Sequence, residues 1–329
     1  LSPLPQPLEL TGDFSRPKAS DYRGGTAILK MDPQLSAACD SYCKNHDISP
    51  YMLFLSAFGL LMSKLSGCEE LIVGVPAAGR ILPETREMCG PFINTLPLRL
   101  APGGQQDTGS WLRSVKDEVT SLLDHEDAGL EEIATALGLP HSTGQSPLYR
   151  VMFTQRPLDA DSFSLAGSRL SYQPINTNSS KLDLVGELYR SGDSYCVSLE
   201  YATQLFLPET AEYYCRCLHE LLRSLVNAKD DTKLSMINAL DPSDRIKLLE
   251  IPEHTASPFF NLPIPGQFAQ QLALDPEAVA AISHGKSYTR AELDRRACQI
   301  ANMLTGDGAV KGEVIGLALS RNIDIIAAP

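Results

Sequence analysis

The chain has 329 residues, 43% of them apolar, and a formal net charge of −12 from 28 basic and 40 acidic side chains. That size corresponds to about two ordinary domains with a real core. The acidity argues against nonspecific nucleic-acid binding, which needs Lys and Arg against phosphates, and against an anionic membrane surface; it fits a soluble cytoplasmic protein.

Residues 1–25, opening LSPLPQPLEL, are rich in Pro, Gly and polar groups and read as a connecting segment. They lack a basic stretch followed by an apolar core, so they do not read as a signal peptide. A short strand is expected over 26–31. Asp32 then caps a helix with Pro33 in its first turn, and Leu35, Ala38, Cys39, Tyr42 and Cys43 fall on one stripe. Ser49 caps the next helix, again followed by a proline, Pro50. That helix is apolar nearly all round and therefore central. Its apolar run is broken by Ser56, Ser63 and Lys64 and is shorter than the roughly 18–20 residues of a membrane span.

Residues 71–76 (LIVGVP) read as a buried strand and 92–100 as another. A helix from 108 to 125 carries Trp111, Val115, Val119, Leu122 and Leu123 on its inner face. Residues 148–154 form a strand. Residues 182–189 and 195–201 flank Ser191-Gly192-Asp193, which is hairpin chemistry. A long amphipathic helix covers 208–226. Strands and helices mix without strict βαβ alternation, which predicts an α/β lobe with a mixed sheet and packed helices.

Composition shifts near Asn227. Residues 228–265 are polar and proline-dotted, with one helix over 243–249, and read as a partly ordered linker. A second pattern follows: helix 267–274, strand 278–282, turn His284-Gly285-Lys286, helix 289–304, strand 314–319. Residues 266–329 are too few for a stable domain of this kind.

Generic catalytic motifs are mostly absent. The six histidines are scattered, with no H-E-x-x-H and no G-x-S-x-G. Gly285-Lys286-Ser287 resembles the end of a P-loop, but Ala280 stands where the cradle needs glycine. Eight cysteines show no C-x-x-C, so buried free thiols are expected and no metal site. His125 beside Glu126 and Asp127 is either a tuned base or a histidine favoured by a helix C-terminus. Asn94 and Thr95 lie in an apolar strand, where an amide needs partners. Lining a polar tunnel and bonding two segments together are both open readings.

Seven segments, in order, resemble the condensation domains of nonribosomal peptide synthetases. Tyr22-Arg23-Gly24-Gly25 is similar to the opening of that family's second lobe. Val73-Gly74-Val75-Pro76-Ala77-Ala78-Gly79-Arg80 resembles "VGxPxAGR". Gly90-Pro91-Phe92-Ile93-Asn94-Thr95-Leu96, ending in Leu98-Arg99, resembles "GxFVNTxxxR". His125-Glu126-Asp127-Ala128-Gly129-Leu130-Glu131 stands for "HQDxPFE", with Gly129 and Leu130 replacing its Pro and Phe. Ser146-Pro147-Leu148-Tyr149-Arg150-Val151-Met152-Phe153 resembles "NPLFQVMF", while His141-Ser142-Thr143-Gly144-Gln145 before it has lost the family's Arg-Asp start. Lys181-Leu182-Asp183-Leu184 and Leu199-Glu200-Tyr201-Ala202-Thr203 resemble "KFDL" and "LEYxT". Further on, Asp275-Pro276-Glu277-Ala278-Val279-Ala280 and Ser287-Tyr288-Thr289-Arg290-Ala291-Glu292-Leu293 resemble the opening of an adenylation domain.

The resemblance implies a chloramphenicol-acetyltransferase-like C-terminal condensation lobe over 1–228, a linker over 229–265 and the start of an AMP-binding adenylation domain over 266–329. It implies a parent that joins a carrier-bound donor acyl or peptidyl thioester to an acceptor aminoacyl thioester, and that activates an amino acid with ATP. The family's His-His-x-x-x-Asp-Gly is absent, so no catalytic residue and no activity of the chain alone are expected. The alternative is a non-catalytic docking platform. Asn94, Thr95, Phe92, His125 and Asp127 are candidates for the tunnel lining; Arg80, Arg99, Tyr22 and Arg23 are structural or interface candidates. Implied partners are the N-terminal condensation lobe, the rest of the adenylation domain and carrier proteins. Phosphopantetheine, ATP and Mg2+ belong to the parent, with no cofactor expected on this chain.

Overall fold

The computed structural model describes residues 1–139, 146–156, 164–165, 168–169, 177–254 and 262–328. The segment His141 to Gln145, singled out above, lies outside them. The chain divides into two units, Leu1–Leu249 and Glu250–Pro329.

In chain order the first unit contains β1 (Gly24–Lys30), α1 (Pro33–His46), α2 (Pro50–Ser66), β2 (Leu71–Ala77), β3 (Asn94–Leu100), α3 (Thr108–Leu123), α4 (Leu130–Ala136), β4 (Val151–Gln155), the short pair β5 (Ser164–Leu165) and β6 (Ser168–Arg169), β7 (Leu184–Ser191), β8 (Ser194–Ala202) and α5 (Pro208–Asn227); α6 (Pro242–His254) begins within it. Six strands form one sheet in the order β1-β8-β7-β4-β2-β3. β4 runs parallel to β2 and β7 and the other pairings are antiparallel, so the sheet is mixed.

Local signals place the helices. The Asp32 and Ser49 side chains accept from Leu35 N and Met52 N, closing the N-termini of α1 and α2. Gly192 has φ +60° at the first position of a two-residue loop between β7 and β8, the pattern of a type II′ turn. Alternation then sorts the strand residues. Val73, Val75, Leu98, Leu100, Val151, Phe153, Leu184, Leu188, Val197 and Leu199 face one core, which they share with Phe54, Phe58, Trp111 and Leu221 of α2, α3 and α5. The opposite face carries a smaller cluster around Ile72, Leu148 and Tyr149.

Several boundaries differ from expectation. The strand expected from 92 starts at Asn94, and the one expected from 148 starts at Val151, because the residues just before each are held in loops. α4 has no counterpart among the expected elements; its 7 residues are too few to declare a period. The opening segment is a pinned strap rather than a loose connection. Leu8 and Leu10 enter the core, Arg99 donates to Pro3 O, and Arg16 makes a two-pronged ion pair with Asp183 at 2.9 and 2.5 Å. Polar residues after α5 are similarly tied down. Thr108 N and Gly109 N donate to Thr232 O and Asp230 O, Leu234 N donates to Gln106 O, and Leu234 and Ile237 are buried.

The second unit contains α7 (Ile264–Leu274), β9 (Val279–Ser283), β10 (Lys286–Thr289), α8 (Arg290–Gly306) and α9 (Asp324–Ala327). His284 and Gly285 both have positive φ and form the hairpin turn between β9 and β10, so Gly285-Lys286-Ser287 runs from that turn into β10 rather than forming a phosphate loop. Thr289 and Glu292 form a capping box that starts α8. The strand expected over 314–319 is not formed, and Val314 is 96% exposed. A strand is completed by ladder bonds to a neighbour, and these residues have none here. Among the described residues only Leu293 and Ala327 of this unit are buried apolar groups, although Ile264, Leu274, Ile282 and Val310 are large and apolar.

Among the described residues no single helix is long and apolar enough to cross a membrane. The thiols divide: Cys39, Cys43, Cys196, Cys215 and Cys217 are buried, Cys68 is half-buried, and Cys89 and Cys298 are exposed, contrary to a uniformly buried set.

Candidate functional site

Three of the segments singled out in the sequence meet at one corner of the first unit, where β2 ends and β3 begins. The connection over 78–93 is a long loop containing a 3-10 turn at Pro83–Glu87. Arg80 organises it: one guanidinium nitrogen donates to Thr85 O and to Met88 O, and the guanidinium lies 4.6 Å from the centroid of the Phe92 ring. Gly79 has φ +62°, and a Cβ there would collide with Phe92 O, so only glycine fits. The loop exposes Ile81, Leu82, Met88 and Ile93.

Asn94 joins this loop to the α3–α4 turn. Its Nδ2 donates to Glu126 O at 3.0 Å and to Ala128 O at 2.7 Å. The same turn is closed by Ala128 N donating to His125 O. His125 is exposed, and its Nδ1 lies 2.8 Å from Ser121 O; a carbonyl only accepts, so Nδ1 carries the proton. No hydrogen bond or ion pair joins His125 to Glu126 or Asp127 among the described residues, so the imidazole is held by its helix rather than by charge. A cleft of about 500 Å³ runs along the free edge of β3 and is lined by Leu96, Pro97, Leu122, His125 and Ile133. Asp127 is exposed on the turn.

Thr95 does not share the environment of Asn94. Neighbours in a strand point to opposite faces. Thr95 faces Tyr149, whose hydroxyl is pushed up by burial and drawn back by the nearby Ser146 and Thr95 side chains. Arg99 lies at the far end of β3, paired with Glu70 at 2.5 Å. Tyr22 and Arg23 stand at the start of β1, the opposite edge of the sheet, where Tyr22 O accepts from Ser180 N and Arg23 pairs with Asp21 at 2.6 Å. The corner therefore gathers Arg80, Phe92, Asn94, His125 and Asp127; Arg99 shares the β3 cleft with His125, and Thr95, Tyr22 and Arg23 lie elsewhere.

A second polar group was not anticipated. On the sheet face away from the main core, Arg156 pairs with Glu187 and its guanidinium lies 4.6 Å from the Tyr189 ring centroid; Ser198 donates to Glu187 at 3.4 Å. Glu200, one step along β8, is held above the usual carboxylate range by burial, opposed by its bond to Ser180 and reinforced by the charge of Glu187. The alternation of Glu187 and Tyr189, and of Ser198 and Glu200, with apolar residues was the available signal.

The first unit is thus a mixed α/β lobe of the chloramphenicol-acetyltransferase-like type, with an edge cleft and a stapled corner loop. The family described as "Condensation domain" matches residues 2–249, nearly the whole of that unit. The chain belongs to the condensation-domain family. It is 29% identical over 98% of its length to surfactin synthase subunit 2 of Bacillus subtilis (strain 168), and 29% identical over 97% to tyrocidine synthase 3 of Brevibacillus parabrevis. It spans only 9% and 5% of those two relatives. Among solved structures, a four-domain nonribosomal peptide synthetase bound to AMP and glycine is similar over 99% of this chain and 26% of its own, with TM-score 0.70 and 21% identity. The X-domain from teicoplanin biosynthesis is similar over 72% of this chain and 54% of its own, with TM-score 0.64 and 25% identity.

Proposed function

We propose that the chain is the C-terminal half of a peptide-bond-forming condensation domain, followed by a linker and the opening of an adenylation domain. One observation carries this reading: about 72% of the chain accounts for only 54% of the solved X-domain. A condensation fold of that size needs a second half, and the corner loop and β3 cleft suit one side of a shared wall. In the parent synthetase the two halves enclose a tunnel in which an acceptor aminoacyl thioester attacks a donor acyl or peptidyl thioester. Both reach it on the phosphopantetheine arms of carrier proteins. The residues of this chain bind and orient; the base or positioning imidazole comes from the other half, since adjacent histidines do not occur here.

The second unit supports an adenylation opening by its exposed apolar residues, which a larger fold would cover. Among the described residues no group of three or more His, Cys, Asp or Glu side chains could hold a metal ion. By the resemblance, ATP and Mg2+ binding belongs to the remainder of the parent's adenylation domain.

The test uses the full synthetase with carrier-loaded donor and acceptor, comparing wild type with a form lacking residues 1–249. Loss of amide product with carrier loading intact supports the reading; undiminished product overturns it. The tying of residues 229–237 to α3 favours a second role as a docking platform. Carrier protein binding to this chain alone supports that role, and no binding at high micromolar concentration counts against it.

A further inference from the structure

We infer that Asn94 is a positioning residue: its amide brackets the α3–α4 turn against β3 and so sets the wall of the β3 cleft. The inference rests on the condensation reading for its functional half and on geometry alone for its structural half. Two backbone carbonyls, Glu126 O and Ala128 O, converge on one side-chain nitrogen at 3.0 and 2.7 Å. Of the two ends of the amide only the NH2 donates, so the amide has a single workable orientation. Both of its hydrogens are used on the turn, and none is left to present to a substrate. The donors of Asn94 are therefore committed to the bracket.

The bracket acts on the cleft because the turn carries cleft residues. His125 and Ala128 line it from the turn, Leu96 and Pro97 line it from β3, and Ile133 of α4 closes it. α4 begins immediately after the bracketed carbonyls, with Gly129 as its N-cap. Releasing the turn therefore frees one side of the cleft while the sheet stays intact. Arg80, Gly79 and Phe92 hold the other side of Asn94, so the amide sits between two preorganised loops.

The variants are Asn94→Asp, which turns a carboxylate toward both carbonyls, and Asn94→Ala, which only removes the donors. A core variant of matched thermal stability, Ile237→Val, controls for general loosening. Each is made in the full synthetase module. Amide hydrogen exchange over 126–129 is measured alongside kcat and KM for the carrier-bound acceptor. Exchange in the turn is expected to rise about tenfold in both Asn94 variants, as loss of the bracketing bonds allows, and not in the control. KM for the acceptor rises with it. Unchanged exchange in both variants overturns the bracket. Faster exchange with unchanged acceptor kinetics overturns its positioning role. A wild-type module that forms no amide overturns the condensation reading instead, and the exchange comparison still decides the bracket.

Discussion

The Tyr149 ring packs closely against the backbone of Gly74: a Cβ at position 74 would sit 2.6 Å from Cε2 of Tyr149. The glycine of the Val73-Gly74-Val75-Pro76 run is thus demanded by an aromatic residue far along the chain. Gly74→Ala is expected to destabilise the first unit by about 1–3 kcal/mol through overpacking. Adding Tyr149→Leu recovers part of that loss, although the leucine variant alone is itself destabilising because it removes a buried ring. Denaturant unfolding of the four proteins measures the coupling. Simple additivity would show that the ring does not impose the glycine.

Arg16 is the lock on the opening strap. It meets Asp183, whose side chain is only 8% exposed, through two bonds. Arg16→Met strands that carboxylate and is expected to cost about 1–3 kcal/mol. Arg16→Lys recovers only part, because an ammonium lacks the planar fork. Limited proteolysis should nick within residues 1–20 faster in the Met variant; equal rates would show that Arg16 does not hold the strap.

Glu200 sets a pH dependence of definite sign. Burial holds its folded-state carboxyl above its ordinary value of 4.5. The folded protein then binds this proton more tightly than the unfolded chain does. The resulting stabilisation is complete below pH 4.5 and is lost as pH rises through the folded value. Glu200→Gln is therefore expected to be more stable than wild type at about pH 7 and to lose that advantage by about pH 4. Melting temperatures across this range check it, and a variant less stable than wild type at neutral pH contradicts it.

Thiol labelling should separate into two classes. Burial pushes Cys39, Cys43 and Cys215 up to about 12 and Cys217 to about 11, so their thiolates are scarce at about pH 8. Cys89 and Cys298 are exposed. Labelling at that pH followed by mass spectrometry should modify these two first, with Cys39, Cys43, Cys215 and Cys217 reacting only on unfolding. Early modification of Cys39 or Cys43 would mean that α1 opens readily.

Much of the secondary structure was legible because its causes are local. Asp32 and Ser49 each cap a helix within three residues, Gly192 turns a hairpin in two, and the apolar period of α2 needs no partner to be read. The candidate site was only half legible. Asn94 and Thr95 are adjacent letters, yet the strand pleat sends one to the Glu126–Ala128 carbonyls and the other to Tyr149. The two readings left open for the amide could be separated only by knowing which segment lies beside β3.

By itself the sequence determined the family, most of the order of elements and the lack of adjacent histidines, all of which are properties of residue type and spacing along the chain. Tertiary structure decided which residues act together. Arg16 reaches Asp183 and Gly74 meets Tyr149 across long stretches of chain, and nothing in the intervening sequence encodes those meetings. Residues 314–319 show the converse: an apolar run with strand character stays unpaired, because a strand becomes one only when a neighbour supplies its hydrogen bonds.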